Sequence, residues 1–130
     1  MGCDIVMFLE YKAPTTKEWQ VFGYEYPVPR NYSMFAKMAD VRSNGYKAIF
    51  HQRGLPADLS DYTTEEYKKA SLYEGCCHSP SWLYRGEFDI CIEAYEDNET
   101  DIIEYKAILA AMALFEKYRY DTRIVFWFLL

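Results

Sequence analysis

The chain has 130 residues, 51% of them hydrophobic and 18% aromatic, with 13 tyrosines, a net charge of −6 and a pI near 4.9. That length supports a single domain over residues 1–130 whose core needs no disulfide or metal, and so apolar a composition excludes a largely disordered chain. The acidic balance removes the pull that duplex nucleic acid or an anionic membrane exerts on a basic patch, and the interleaving of acids with Lys and Arg disfavours a DNA mimic.

Residues 4–11 read as a strand, with Ile5, Met7, Leu9 and Tyr11 on one face and Asp4, Val6, Phe8 and Glu10 on the other. An Ala13-Pro14-Thr15-Thr16 turn leads to a second, aromatic-rich strand over 18–26, a hairpin that Pro27 and Pro29 end. Asn31 caps a short helix with Met34, Phe35, Met38 and Ala39 on one side and Asp40 and Arg42 at its exit. The next twenty residues read as loop. Thr63-Thr64-Glu65-Glu66 then has capping-box spacing for a helix running to about Leu72 and stopped by Gly75. From 81 to 95, Phe88, Ile90 and Ile92 alternate with Asp89, Cys91 and Glu93 as in a strand, while Leu83, Glu87, Ile90 and Ala94 fit a helix; the strand is the preferred reading. Residues 102–118 form a helix with Tyr105, Ile108, Leu109, Met112 and Phe115 along one stripe. Asp121-Thr122 turns the chain, and 123–129 closes the sheet as a central strand, apolar on both faces. The fold class is α+β: a small, mostly antiparallel sheet made of the N-terminal hairpin and the C-terminal strand, with helices packed against it.

The first ten residues carry Asp4 and Glu10 and no basic run before the apolar stretch, unlike a secretory signal. Position 6 is Val where myristoylation needs Ser or Thr, and no apolar run approaches membrane-spanning length. A cytoplasmic setting is the expectation, in which Cys3, Cys76, Cys77 and Cys91 are reduced thiols. Cys3, Cys77 and His78 lack the Cys-x-x-Cys spacing of structural zinc sites, so neither metal nor cofactor is expected.

Between the apolar ends, residues 42–82 collect polar side chains in turn-rich sequence, the setting in which a rigid scaffold displays working residues. Arg42 at a helix exit and Arg53 in the Arg53-Gly54-Leu55-Pro56 loop can each present paired donors to a phosphate or carboxylate, and Arg30 is a third candidate. The competing structural reading pairs Arg42 and Arg53 with Asp40 or Asp58. His78 precedes Ser79-Pro80-Ser81-Trp82, whose hydroxyls and indole can flank a bound base or sugar, or else form a capping turn with Trp82 in the core. Asp58 and Ser60 complete a candidate ligand-binding set of Arg30, Arg42, Arg53, Asp58, Ser60, His78, Ser79, Ser81 and Trp82. A triad can be assembled on paper from Ser79 or Ser81, His78 and Asp58. No nucleophile-elbow spacing or Gly-rich oxyanion loop accompanies it, so no catalytic residue is assigned. Arg123, in an otherwise apolar strand, needs an acidic partner if it points inward, and His51 reads as structural. The tyrosines suit protein recognition and base stacking as well as a core, and the apolar excess leaves room for a homo-oligomer.

The order of short motifs resembles that of a family of small bacteriophage-encoded proteins without an assigned activity. It runs through Gly2-Cys3-Asp4-Ile5, Glu10-Tyr11, Arg30-Asn31-Tyr32, Phe35-Ala36, Val41-Arg42, Arg53-Gly54-Leu55-Pro56 with Asp58 and Ser60, His78-Ser79, Ser81-Trp82-Leu83 and residues 123–128, nearly the whole chain. The resemblance implies a phage accessory protein in an infected bacterial cytoplasm, a type that often counters host defences. The family's opening usually has a histidine where this chain has Val6. With that imidazole gone, Asp4 and Glu10 stand roughly 20 Å apart on a straight strand, too far to share a metal.

Three functions follow. The first is a non-catalytic protein that captures a small phosphorylated signal, cyclic-nucleotide or NAD-derived, through arginine and stacking on Trp82 or a tyrosine. The second is an inhibitor that binds a host defence protein through its acidic, tyrosine-rich surface. The third is a metal-dependent nucleotide hydrolase using Asp4, Glu10, His78 and Asp58.

Overall fold

The structure, a computed structural model, describes residues 2–73 and 77–130; the expected helix stop at Gly75 lies outside the described residues, as does Cys76. Four strands form one antiparallel sheet in the order β2-β1-β4-β3: β1 (Asp4–Lys12), β2 (Gln20–Val21), β3 (Cys77–Tyr84) and β4 (Asp121–Leu129). β1 and β4 pair continuously from Asp4↔Leu129 to Lys12↔Asp121, so the two most apolar strands hold the centre. The α+β class expected from the sequence is the one observed.

Strand alternation gives the sheet two different faces. Ile5, Met7 and Leu9 of β1, Leu83 of β3 and Ile124, Phe126 and Phe128 of β4 form the main core with α1 (Tyr32–Ala39), α3 (Arg85–Glu93) and α4 (Ile103–Lys117). The opposite face carries Phe8, Glu10, Arg123, Val125 and Trp127, all buried. It is covered by α2 (Asp61–Tyr73), whose Tyr67 ring meets Trp127 edge-on at 4.9 Å and whose Tyr62 meets Phe8 at 6.2 Å. Burial on both sides is why β4 is apolar at successive positions rather than alternate ones.

Several elements differ from their sequence-based expectation, each for a local reason. The second strand shrinks from 18–26 to Gln20–Val21, because Gly23 at φ +73 breaks the ladder; the segment bridges to β1 again at Tyr26, whose N–H donates to the Met7 carbonyl at 2.8 Å. Residues 81–95 are not one strand. β3 ends at Tyr84, whose N–H donates to the Glu87 carboxylate at 3.0 Å, and α3 begins at Arg85. Its buried positions Phe88, Cys91 and Ile92 follow helical spacing, which leaves Ile90 half exposed.

The segment expected as a turn around His78 is instead part of β3, with a register shift between His78 and Ser81 and Ser79 at φ +54. Trp82 sits half-buried on that strand rather than in the core. Ser60, not Thr63, caps α2: its Oγ accepts the Thr63 N–H at 3.2 Å, so the helix begins at Asp61, three residues earlier than a Thr63 cap would start it. Asp121 and Thr122 already belong to β4. The turn is made just before them, by Arg119 at φ +71 and Tyr120 N–H, which donates to the Phe115 carbonyl at 3.2 Å. Among the described residues, no helix is long and apolar enough to cross a membrane.

Candidate functional site

The structure distributes the nine sequence-derived site residues over four places. Arg53, Ser81 and Trp82 come together. The Arg53 guanidinium forks onto the Glu87 carboxylate at 2.7 and 2.5 Å and lies 4.8 Å above the Trp82 ring and 5.3 Å from that of Phe50. The Arg53 backbone N–H donates to Ser81 Oγ at 3.0 Å, and Gly54 N–H donates to the Pro80 carbonyl at 3.0 Å. This arrangement latches the 50s loop to the β3 edge. The Arg53 partner is Glu87, 34 residues away, rather than Asp40 or Asp58.

Arg30 and Arg42 both lie near Cys3, at the chain's start. Arg30 Nε donates to Asp4 at 2.9 Å, and its guanidinium occupies the space that a Cβ on Gly2 would need. Arg42 lies 5.4 Å from the Tyr32 ring, whose hydroxyl accepts the Cys3 N–H at 3.1 Å. Burial pushes the Cys3 thiol pKa up, an effect that the Arg42 charge opposes.

Asp58 and Ser60 belong to a third cluster, centred on Arg123. Arg123 Nε donates to Glu10 Oε1 at 2.8 Å, Nη1 to Asp58 Oδ1 at 2.7 Å and Nη2 to the Asp58 carbonyl at 3.2 Å. Trp19 closes over the guanidinium at 3.9 Å and donates its Nε1–H to Asp58 Oδ2 at 3.0 Å. Ser60 N–H takes the remaining Glu10 oxygen at 3.1 Å. The Arg123 contacts hold the Asp58 carboxyl below its ordinary range. With these partners, the cluster acts as a clamp between the 58–60 loop and the sheet.

His78 and Ser79 form the fourth place, His78 Nδ1 lying 2.9 Å from Ser79 Oγ. Arg42, Arg53 and His78 line none of the described cavities. Among the described residues, no group of three or more His, Cys, Asp or Glu is placed to hold a metal ion. Of the carboxylates considered as metal ligands, Asp4 is paired with Arg30, and Glu10 and Asp58 with Arg123.

A different cleft gathers cations and aromatic rings in one place. At the end of the sheet where β1 and β3 finish and β4 starts, Lys12, Arg85 and Arg119 surround a cavity of about 530 Å³ whose walls include Trp19, Tyr84 and Tyr120. Three cations face two carboxylates there, Glu116 and Asp121, in a chain whose net charge is −6. Glu116 positions the wall by accepting from Arg85 Nε at 2.6 Å and from the Thr122 hydroxyl at 2.5 Å. Lys12 is 4.0 Å from Asp121 and 5.0 Å from the Trp19 ring. Among the described residues, Arg119 has no ion pair or side-chain hydrogen bond, and its left-handed backbone sets it at the turn into β4. Gly86, second residue of α3, also lines the cleft, and a Cβ there would meet nothing within 4 Å.

No sequence motif announces this cleft. Lys12, Trp19, Tyr84-Arg85-Gly86 and Arg119-Tyr120 lie in four separate stretches, brought together by β1–β4 and β3–β4 pairing. The available signal was positional: a cation at the end of each element that finishes on the same edge of the sheet. A second cavity of about 190 Å³, lined by residues that include Lys17, Asp58, Ser60 and Asp61, shares Trp19 with it. Comparison with protein-family models, characterised proteins and solved structures finds no match to this chain.

Proposed function

We propose that the protein is a non-catalytic binder that captures a small phosphorylated ligand in the Lys12/Arg85/Arg119 cleft and withholds it from its user. The observation that carries this reading is the concentration of three cations and three aromatic rings around one cavity of ligand size in an otherwise acidic chain. Lys12 and Arg119 supply charge to a phosphate. Tyr84, half exposed, offers a ring face to a base, whereas the Trp19 ring is already flanked by Lys12 and Arg123. The motif order suggests the setting, a phage accessory protein in an infected bacterium, with a cyclic-nucleotide or NAD-derived defence signal as ligand.

The test is a thermal-shift screen of the purified chain against cyclic di- and trinucleotides, ADP-ribose and pyrophosphate, followed by chromatography of the ligand after denaturation. A shift with intact ligand recovered supports sequestration; a cleaved product contradicts the non-catalytic part. A second reading, inhibition of a host defence protein, draws support from the exposed Tyr24, which lies 6.3 Å from Tyr62 in a patch with Glu25 and Glu66.

A further inference from the structure

We propose that the solvent face of α4 packs antiparallel against α4 of a second copy of this chain, forming a twofold-symmetric dimer. One face of α4 is committed to the core through Tyr105, Ile108 and Met112. On the other, Ile103, Leu114 and Tyr118 are 57%, 59% and 65% exposed, and Ala107 and Ala110 between them are exposed too. A helix that is apolar on both faces is one that something covers on both.

Positions 103, 107, 110 and 114 follow the 4-3-4 spacing of a coiled-coil seam. That seam is its own complement. Small residues occupy its middle and large ones its ends, so an antiparallel copy centred between Ala110 and Ala111 sets Leu114 over Ala107 and Ile103 against Tyr118. The Tyr118 hydroxyl then comes beside Glu104 of the second copy. A parallel copy would place Leu114 against Leu114 and leave the alanines facing a gap.

The available area matches such a dimer. At roughly 100 Å² for each half-exposed large side chain, Ile103, Leu114, Tyr118 and the neighbouring Phe22, with the alanines between them, supply most of the about 800 Å² per partner that a standard interface buries. Phe22 lies in an apolar groove of about 570 Å³ along the same helix, lined also by Ala111, Leu114, Phe115 and Tyr118, so the contact surface continues beyond the seam. Sheet pairing leaves this helix face open, and the proposal stands independently of what the cationic cleft binds.

The experiment is sedimentation equilibrium of the full chain and of Leu114→Glu, with disulfide trapping of Ala110→Cys against the unsubstituted chain under the same oxidant. The expected results are a mass of twice 15.4 kDa at tens of micromolar, a monomeric Leu114→Glu variant with an unchanged circular dichroism spectrum, and a covalent dimer for Ala110→Cys beside the axis. Ile103→Cys, remote from its own counterpart, stays uncrosslinked. A monomeric parent chain, a dimeric Leu114→Glu variant, or trapping through Ile103→Cys but not Ala110→Cys would overturn the proposal.

Discussion

Arg123 donates its Nε–H to Glu10 Oε1 at 2.8 Å across 113 residues of sequence, with both side chains almost fully buried on the central strands β1 and β4. The pair is tolerated because every exposed edge of each group is occupied: Asp58 and Trp19 on the arginine, Ser60 N–H on the glutamate. A buried ion pair contributes less to net stability than to fixing one arrangement, and breaking it by halves is costly. Here it fixes where the 58–60 loop and Trp19 sit, and hence one wall of the cationic cleft.

Removing one partner should therefore cost more than removing both. Arg123→Met is expected to lose about 3–5 kcal/mol in urea unfolding, since Glu10 is left charged and buried. The double variant Glu10→Leu with Arg123→Met is expected to regain much of that loss. A double variant as unstable as the sum of the singles would show that the two side chains do not act as a unit.

The Arg53–Glu87 fork is partly shielded and stacked on Trp82, so Glu87→Gln should cost about 1 kcal/mol at neutral pH. Its pH dependence has a defined sign. Arg53 holds the Glu87 carboxyl below its ordinary 4.5, as Arg123 holds Asp58 below 3.8. A lowered native pKa means that the unfolded chain takes up the proton first, so the stability these groups lend is complete above about 4.5 and declines as pH falls through that range. Unfolding curves from pH 7 to pH 3 should show a shallower decline for Glu87→Gln than for the parent; parallel declines would contradict the assignment.

Thiol chemistry offers a check on burial. Cys3 and Cys91 are fully buried, and burial pushes the Cys91 thiol up to about 12, while Cys77 is partly accessible. At pH 8 in native buffer, mass spectrometry after brief iodoacetamide treatment should find Cys3 and Cys91 unmodified and Cys77 labelled, with all of them reacting in urea. Rapid native labelling of Cys91 would place it outside the core.

Gly54, at φ +77, allows the chain to turn back so that its N–H reaches Pro80. Gly54→Ala should destabilise by about 1 kcal/mol through backbone strain alone, since a Cβ there meets no neighbour. An unchanged melting temperature would mean that the latch is not held closed in solution.

Periodic burial made the frame legible. The two-sided alternation of residues 4–11, the Asn31 cap, confirmed by its acceptance of Met34 N–H at 3.1 Å, and the stripe of the long helix are local signals, and they correspond to β1, α1 and α4. Residues 81–95 misled because Phe88, Ile90 and Ile92 alternate while Phe88, Cys91 and Ile92 also make a helical face; Glu87, three residues after Tyr84, was the cue to a helix start. The inward need of Arg123 for an acid was legible, whereas the choice of Glu10 and Asp58 depends on pairing across the sheet. The cleft was not legible for the same reason: Lys12 and Arg119 line one cavity only because β1 ends where β4 begins.

Binding of a phosphorylated ligand in this cleft is tested most directly by comparing the parent chain with the double variant Lys12→Glu, Arg119→Glu against cyclic dinucleotides, ADP-ribose and pyrophosphate by thermal shift. Both side chains are outside the core, so the variant should fold, its unliganded melting temperature lowered by the loss of the Lys12–Asp121 pair and the like charge set opposite Asp121. At least one of these ligands is expected to raise the parent's melting temperature by several degrees and to leave the variant's unmoved, with the parent's shift shrinking as salt rises. Equal shifts in both proteins, or none in the parent with any of the panel, would contradict it.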